Sequence, residues 1–298
     1  MGDDTNLIVF VHGINVSYID WGIGGDTVFK RLYWSGFAGK FAAVKWPCNY
    51  LTPIPDPLTP AVFNQSEAKA YKASTAFASY VGNLHTRFPN NRLHLYAHSQ
   101  GNPVVSEAIA RTNLAFDTYI LSQAALPDSA YDLNAPTNSV LLAREQGLSI
   151  TPDWKPFGYH GLYTNLTGRI VNFYNPQDKV LDYWVSDQKL LKPSVFFDSS
   201  FYYYDGTNCY FAPYNGIYYM ITDPEETRAM VARSRTLPLG QSGPASSHGV
   251  IQSAVDLNAQ FGFFNIVDEH SAQWTRPIQT SRPYFQQVLT SCQILPAP

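Results

Sequence analysis

Positions 7–11 read LIVFV, five apolar residues in a row with no polar alternation. A strand with one wet face would alternate. An unbroken, largely β-branched run belongs to a strand buried on both faces. Such a strand needs covering layers on both sides, and this restricts the fold more than any other feature of the chain. HGIN, at 12–15, turns the chain at the end of the run. Further short apolar runs follow: FAAVKW at 41–46, RLHLYA at 92–97, a run around 119–121, a run within RIVNFYN around 170–174, and FGFFNIV at 261–267. Helix patterns lie between them. Residues 66–87 place Ala70, Phe77, Val81 and Leu84 on one side. Residues 102–111 do the same with Val104, Val105, Ala108 and Ile109. Residues 223–235 open with Asp223 as N-cap, Pro224 at the first position, and Glu225 and Glu226 in the first turn. A last helix is expected near 284–289. Strands alternating with helices predict an α/β fold with a mostly parallel central sheet and helices on both faces. Chemistry in such sheets sits beyond the carboxyl ends of the strands.

The 298 residues are 45% hydrophobic, enough for one large α/β domain across 1–298. A formal net charge of −3 gives no bulk attraction for nucleic acid. Cys48, Cys209 and Cys292 are far apart and form no CxxC pair, so neither a metal site nor a redox motif is expected. No apolar run reaches transmembrane length. The opening MGDDTN is short and acidic, so LIVFV reads as a core strand rather than a signal peptide. The compartment stays open between the cytoplasm and a trimmed secreted domain. The proline-rich PCNYLTPIPDPLTP at 47–60 reads as a loop. The stretch 183–260 interrupts the alternation and holds an aromatic cluster at 196–219. It is expected to form a cap or lid insertion before the catalytic histidine. Its rings would pack the cap onto the core, and some would line an apolar pocket.

Ser99 stands at the junction of the strand at 92–97 and the helix at 102–111. A serine between strand and helix needs a tight turn, with small residues two before and two after it. Ala97 and Gly101 occupy those places, so AHSQG is a nucleophile-elbow pattern with alanine in the first position. The turn lifts the serine hydroxyl clear and directs the Gln100 N–H and the helix N-terminus at the reaction centre.

VFVHGIN, LYAHSQGN, VNFYNPQDKV and DEHSAQW together resemble the strand-end motifs of the α/β-hydrolase superfamily, in its esterase- and lipase-like branch. The resemblance runs from residue 7 to about 274 and omits the insertion. The superfamily usually carries two strands before the first one found here, and this chain has no room for them. The resemblance implies an oxyanion donor in the loop after the first strand, here the Ile14 N–H with Asn15 as the alternative. It also implies the order serine, acid, histidine along the chain. His12 precedes the serine and is expected to brace its loop.

A serine at neutral pH needs a base, and the base needs an orienting group. Seven histidines compete. His85 and His94 lie in a helix end and a strand, His160 lies in an irregular segment, and His98 is expected to brace the turn. His270 follows an apolar strand, where the superfamily carries its histidine, and His248 in the Gly/Ser/Pro-rich linker is the alternative. Asp178 is the preferred acid, after a strand and an Asn-Pro turn, with Asp128 and then Asp182 as alternatives. The expected function is a serine hydrolase cleaving carboxylic esters, on a small-molecule or lipid ester, without cofactor or metal. An acyltransferase or thioesterase on the same triad, and a non-catalytic hydrolase-like binding module, are the other readings.

Overall fold

The computed structural model describes residues 5–14, 16–49, 60–131, 166–186, 201–204, 209–212, 219–221, 225, 238–242, 250–262, 264 and 270–296. In chain order these form β1 (Asn6–Val11), α1 (Tyr18–Trp34), β2 (Lys40–Val44), α2 (Pro60–Arg87), β3 (Arg92–His98), α3 (Gly101–Thr112), β4 (Thr118–Ser122), β5 (Arg169–Tyr174) and α4 (Lys179–Ser186). Then come β6 (Phe201–Tyr204), β7 (Cys209–Ala212), β8 (Tyr219–Ile221), α5 (Leu239–Ser242), β9 (Ser253–Asp256), α6 (Leu257–Phe261), α7 (Ala272–Thr275) and α8 (Ile278–Ser291). Six strands form one sheet in the order β2-β1-β3-β4-β5-β9. Every pairing in it is parallel. β6, β7 and β8 form a separate antiparallel sheet inside the aromatic stretch.

Strand periodicity divides the core. Leu7, Val9 and Val11 of β1 join Leu93, Leu95, Tyr119 and Leu121 under α2 and α3. Ile8 and Phe10 join Tyr96, Ile120 and Phe173 under α1 and α8. All six residues of β1 are buried, as a strand covered on both faces requires. α2 starts at Pro60, earlier than expected, since proline at a first helical position gives up only an N–H that would be orphaned anyway. The expected helix at 223–235 falls outside the described residues, apart from helical Glu225.

One strand is corrected. FGFFNIV at 261–267 was expected to be the strand before His270, and its described residues are not extended. Residue 261 ends α6, 262 is a bend and 264 a turn. Asp256 caps α6 by accepting from the Ala259 N–H at 2.9 Å, and Gly262 ends it at φ +61°. Phe261 and Phe264 instead pack their rings around Tyr284 of α8. The sixth strand is SAVD at Ser253–Asp256, inside the stretch 183–260. α5 in the same stretch packs on the framework, with Leu239 fully buried and its N–H donating to Leu126 O at 2.7 Å. The framework therefore includes part of the stretch expected to be an insertion.

Buried histidines make the framework sensitive to acid. His94 of β3 is 0% exposed, with Nε2 3.0 Å from Asn6 Oδ1. Burial, aided by Arg92 and opposed by Asp117, lowers its pKa from 6.5 to about 4. Between those values the unfolded chain binds a proton that the folded chain does not. Stability is thus lost as pH falls from 6.5 towards 4. His94→Gln should make the slope of unfolding free energy against pH shallower in that window by about 1.4 kcal/mol per pH unit, the value of one proton. Urea titrations at several pH values measure it, and an unchanged slope would contradict the assignment.

Candidate active site

The site is built where β1, β3, β4 and β5 end. Ser99 follows β3 directly and holds φ at +52°. A non-glycine residue there costs on the order of 1–3 kcal/mol, so its surroundings must hold it. Ser99 N–H donates to Ser122 O at 3.0 Å. Ser99 O accepts from the Asn102 N–H at 3.1 Å, from Asn102 Nδ2 at 2.9 Å and from the Ala125 N–H at 3.3 Å. Asn102 is itself fixed, because Tyr119 Oη donates to its Oδ1 at 2.8 Å. Gly101 lets α3 start against β1. A Cβ on it would lie 2.5 Å from Val11 O and 2.6 Å from His12 O. Gly13 presses on the serine in the same way, since its Cβ would come 2.8 Å from Ser99 Cβ. The two turns are wedged together, which puts Ile14 and Ser99 on the wall of one cavity.

Asp178 follows β5, caps the N-terminus of α4 and is completely buried. Its Oδ1 accepts from the Val180 and Leu181 N–H groups at 3.1 and 3.2 Å. Its Oδ2 accepts from Gln123 Nε2 at 2.8 Å and from His270 Nδ1 at 2.7 Å. Burial alone would raise the pKa of this carboxyl. The charge and hydrogen bond of His270, the bond from Gln123 and the Leu181 N–H outweigh burial and hold it below the usual carboxylate range. Asp178 thus stands at the ring of His270. Asp128 opens a short 3-10 turn, Asp128–Tyr131, and Asp182 lies in α4. His248 and His160 lie outside the described residues, as does Asn15.

His98 and His12 have partners of their own. His98 Nε2–H donates to His270 O at 2.9 Å, and the two rings lie 4.7 Å apart. Burial first, then the charge of His270, lowers the His98 pKa to about 3, so the ring is neutral at pH 7. His12 Nδ1–H donates to Gly13 O at 2.7 Å and its ring stacks on Trp46 at 5.7 Å. Trp46 Nε1–H donates to His12 O at 2.7 Å. Burial lowers the His12 pKa to about 4. Both side chains tie loops together. Gln100 is fully buried between Ser99 and the first residue of α3.

Ser99 and His270 line the same cavity of about 470 Å³. Ser99 Oγ and His270 Nε2 are buried, and neither atom has a hydrogen-bond partner among the described residues. An unpaired hydroxyl and an unpaired imidazole nitrogen on one cavity can act on a bound polar group. Among the described residues no group of three or more His, Cys, Asp or Glu side chains could hold a metal ion, and no helix is long and apolar enough to cross a membrane. Gln123 lies in no sequence motif, and Asn102 closes LYAHSQGN without a role read from it. The available signal for Gln123 is its place directly after an apolar strand. It too holds a left-handed φ, of +46°, with its N–H donating to Phe173 O at 2.8 Å.

Residues 2–139 match a family described as alpha/beta hydrolase of unknown function (DUF900). With the parallel sheet and its two helical layers, this decides the architecture. The chain has the α/β-hydrolase fold. Among curated proteins no sequence match is found. Solved structures similar to this hydrolase fold include a candidate aryl esterase from Burkholderia cenocepacia, 12% identical, covering 98% of this chain and 93% of that one at a TM-score of 0.41. Esterase PE8 is 11% identical, with 61% and 78% covered and a TM-score of 0.34. A Bacillus licheniformis lipase in propeptide form is 16% identical at a TM-score of 0.30. The match to that lipase covers 59% of this chain and 37% of its own, so the chain spans little more than a third of its length.

Gln123→Leu removes a donor to the buried carboxylate. It should lower stability at pH 7 by about 1.5–3 kcal/mol, the range for a hydrogen bond to a charged group. Urea denaturation measures this, and a variant as stable as the parent would show that the Gln123–Asp178 bond contributes nothing.

Proposed function

We propose that this protein is a serine hydrolase that cleaves carboxylic esters through an acyl-enzyme. The observation that carries the reading is the Asp178–His270 hydrogen bond of 2.7 Å at the cavity that the strained Ser99 turn also lines. Asp178 receives Nδ1–H of His270 and keeps the ring in the tautomer whose Nε2 carries the lone pair. Ser99 Oγ attacks the ester carbonyl while His270 Nε2 takes the hydroxyl proton. The carbonyl oxygen becomes an oxyanion, and the Gln100 and Ile14 N–H groups hold it. Each such donor contributes roughly two to three orders of magnitude in rate. The positive end of α3 favours the same charge. The tetrahedral adduct collapses, His270 protonates the leaving alkoxide, and the alcohol departs. Water then gives a proton to His270 and attacks the acyl group. The carboxylic acid leaves, and the proton returns to Ser99.

Each residue has a distinct signature in this scheme. Hydrolysis of p-nitrophenyl acetate and butyrate should fall at least a thousandfold in kcat for Ser99→Ala and for His270→Ala. Asp178→Asn should lose roughly three to four orders of magnitude, because an amide favours the wrong tautomer. His248→Ala should keep the parent rate. A Ser99→Ala enzyme within tenfold of the parent would remove Ser99 as nucleophile, and a large loss only in His248→Ala would transfer the role of base to that residue.

A further inference from the structure

The cavity at Ser99 has one wall made by helix α1, whose sequence runs YIDWGIGGDTVFKRLYW. Glycine inside a helix is unfavourable, because it loses more backbone freedom than alanine and packs nothing. Three glycines, Gly22, Gly24 and Gly25, occupy the first half of α1. None of them holds a positive φ. Close packing accounts for Gly25, since a Cβ there would lie 2.9 Å from Ala43 Cβ of strand β2. It does not account for Gly24, where a Cβ would meet no atom within 4 Å. Gly24 lines the cavity of Ser99 and His270, whereas Gly22 lines a separate groove on the outer side, with Phe29 and Phe41.

Other walls of the cavity include Phe10, Val28, Val180 and Trp274. Among the described residues that line it, none is Asp, Glu, Lys or Arg. A charged group entering there would lose its hydration without gaining an opposite charge. The volume, about 470 Å³, lies within the range of small-molecule sites and exceeds what an acetyl group needs.

We infer that Gly24 is a specificity-determining residue: the space over its Cα receives an uncharged apolar chain of the substrate, and its missing side chain sets how long that chain can be. The substrate class is then an ester with an apolar group longer than acetyl. This rests on the ester-hydrolase reading for its chemistry, although the space itself does not. Each methylene moved from water into such a cavity is worth about a fourfold gain in binding. A valine at 24 would occupy room for two or three of them.

The test compares wild type, Gly24→Val and Gly22→Val, which makes the same change in the same helix towards the other groove. Two readouts are used. One is kcat/KM for p-nitrophenyl acetate, butyrate and octanoate. The other is calorimetric binding of 2-butanone and 2-nonanone, ester isosteres that cannot be cleaved. Gly24→Val should lower the octanoate-to-acetate ratio at least tenfold and weaken 2-nonanone by a similar factor, leaving 2-butanone unchanged. Gly22→Val should keep the wild-type profile in both. A Gly24→Val profile equal to wild type, an equal change in Gly22→Val, or no binding of 2-nonanone by wild type would each overturn the inference. If no ester is cleaved through Ser99 while 2-nonanone binding still depends on residue 24, the hydrolase reading fails and the size-setting role of Gly24 stands.

Discussion

The active-site region depends on one close approach, that of the first residue of α3 to the carboxyl end of β1. The gap is too small for a side chain, since a Cβ on Gly101 would stand 2.5 Å from Val11 O. This contact requires the chain to leave β3 and enter α3 within two residues, and Ser99 is forced to φ +52° between them. Hydrogen bonds from Asn102 and Ala125, and one to Ser122, offset the strain. The same contact brings the Gly13 turn onto the serine, so the loop after β1 and the start of α3 reach the cavity together. A strained residue held by several independent bonds is a pre-organised one. Little conformational freedom is left to lose when a substrate arrives.

A second constraint fixes the ring of His270. Asp178 is buried from solvent and still favours its charged form, because four hydrogen bonds converge on its two oxygens. Two come from backbone N–H groups at the start of α4, where the helix dipole adds its positive end. One comes from Gln123, held by the end of β4. The last comes from His270. The carboxylate therefore joins β4, β5, α4 and the segment of His270 at one point, and stability and ring orientation share the same bonds. His98 adds a tie from β3 to the backbone of His270, so the strand that leads into Ser99 also holds the segment of His270.

Much of this was legible in the residues. β1 holds a continuous apolar run, the mark of a strand buried on both faces, and β3 and β5 are short, mostly apolar segments broken by His94 and Asn172. The pairing of Ala97 and Gly101 around Ser99 announced the turn, and an Asn-Pro turn after β5 announced Asp178. Other parts were hidden for physical reasons. α1 was not anticipated, because three glycines in its first half lower its helical signal. The sixth strand is only four residues long, SAVD, with a polar residue at each end, while the more aromatic FGFFNIV has the stronger strand pattern. Its Phe261 and Phe264 pack their rings around Tyr284 instead. Gln123 could not be found from type or spacing, since its role is set by a left-handed turn and by a partner 55 residues away.

The central claim is that the wedge at β1 and α3 presents Ser99 as an activated nucleophile. The most direct measurement is treatment of the native protein with an alkyl fluorophosphonate, followed by mass spectrometry of the tryptic peptide spanning residues 93–111. The account predicts one adduct per chain, on Ser99, formed by the folded protein and abolished by prior unfolding. No adduct, or one shared indiscriminately with Ser106 of the same peptide, would contradict it.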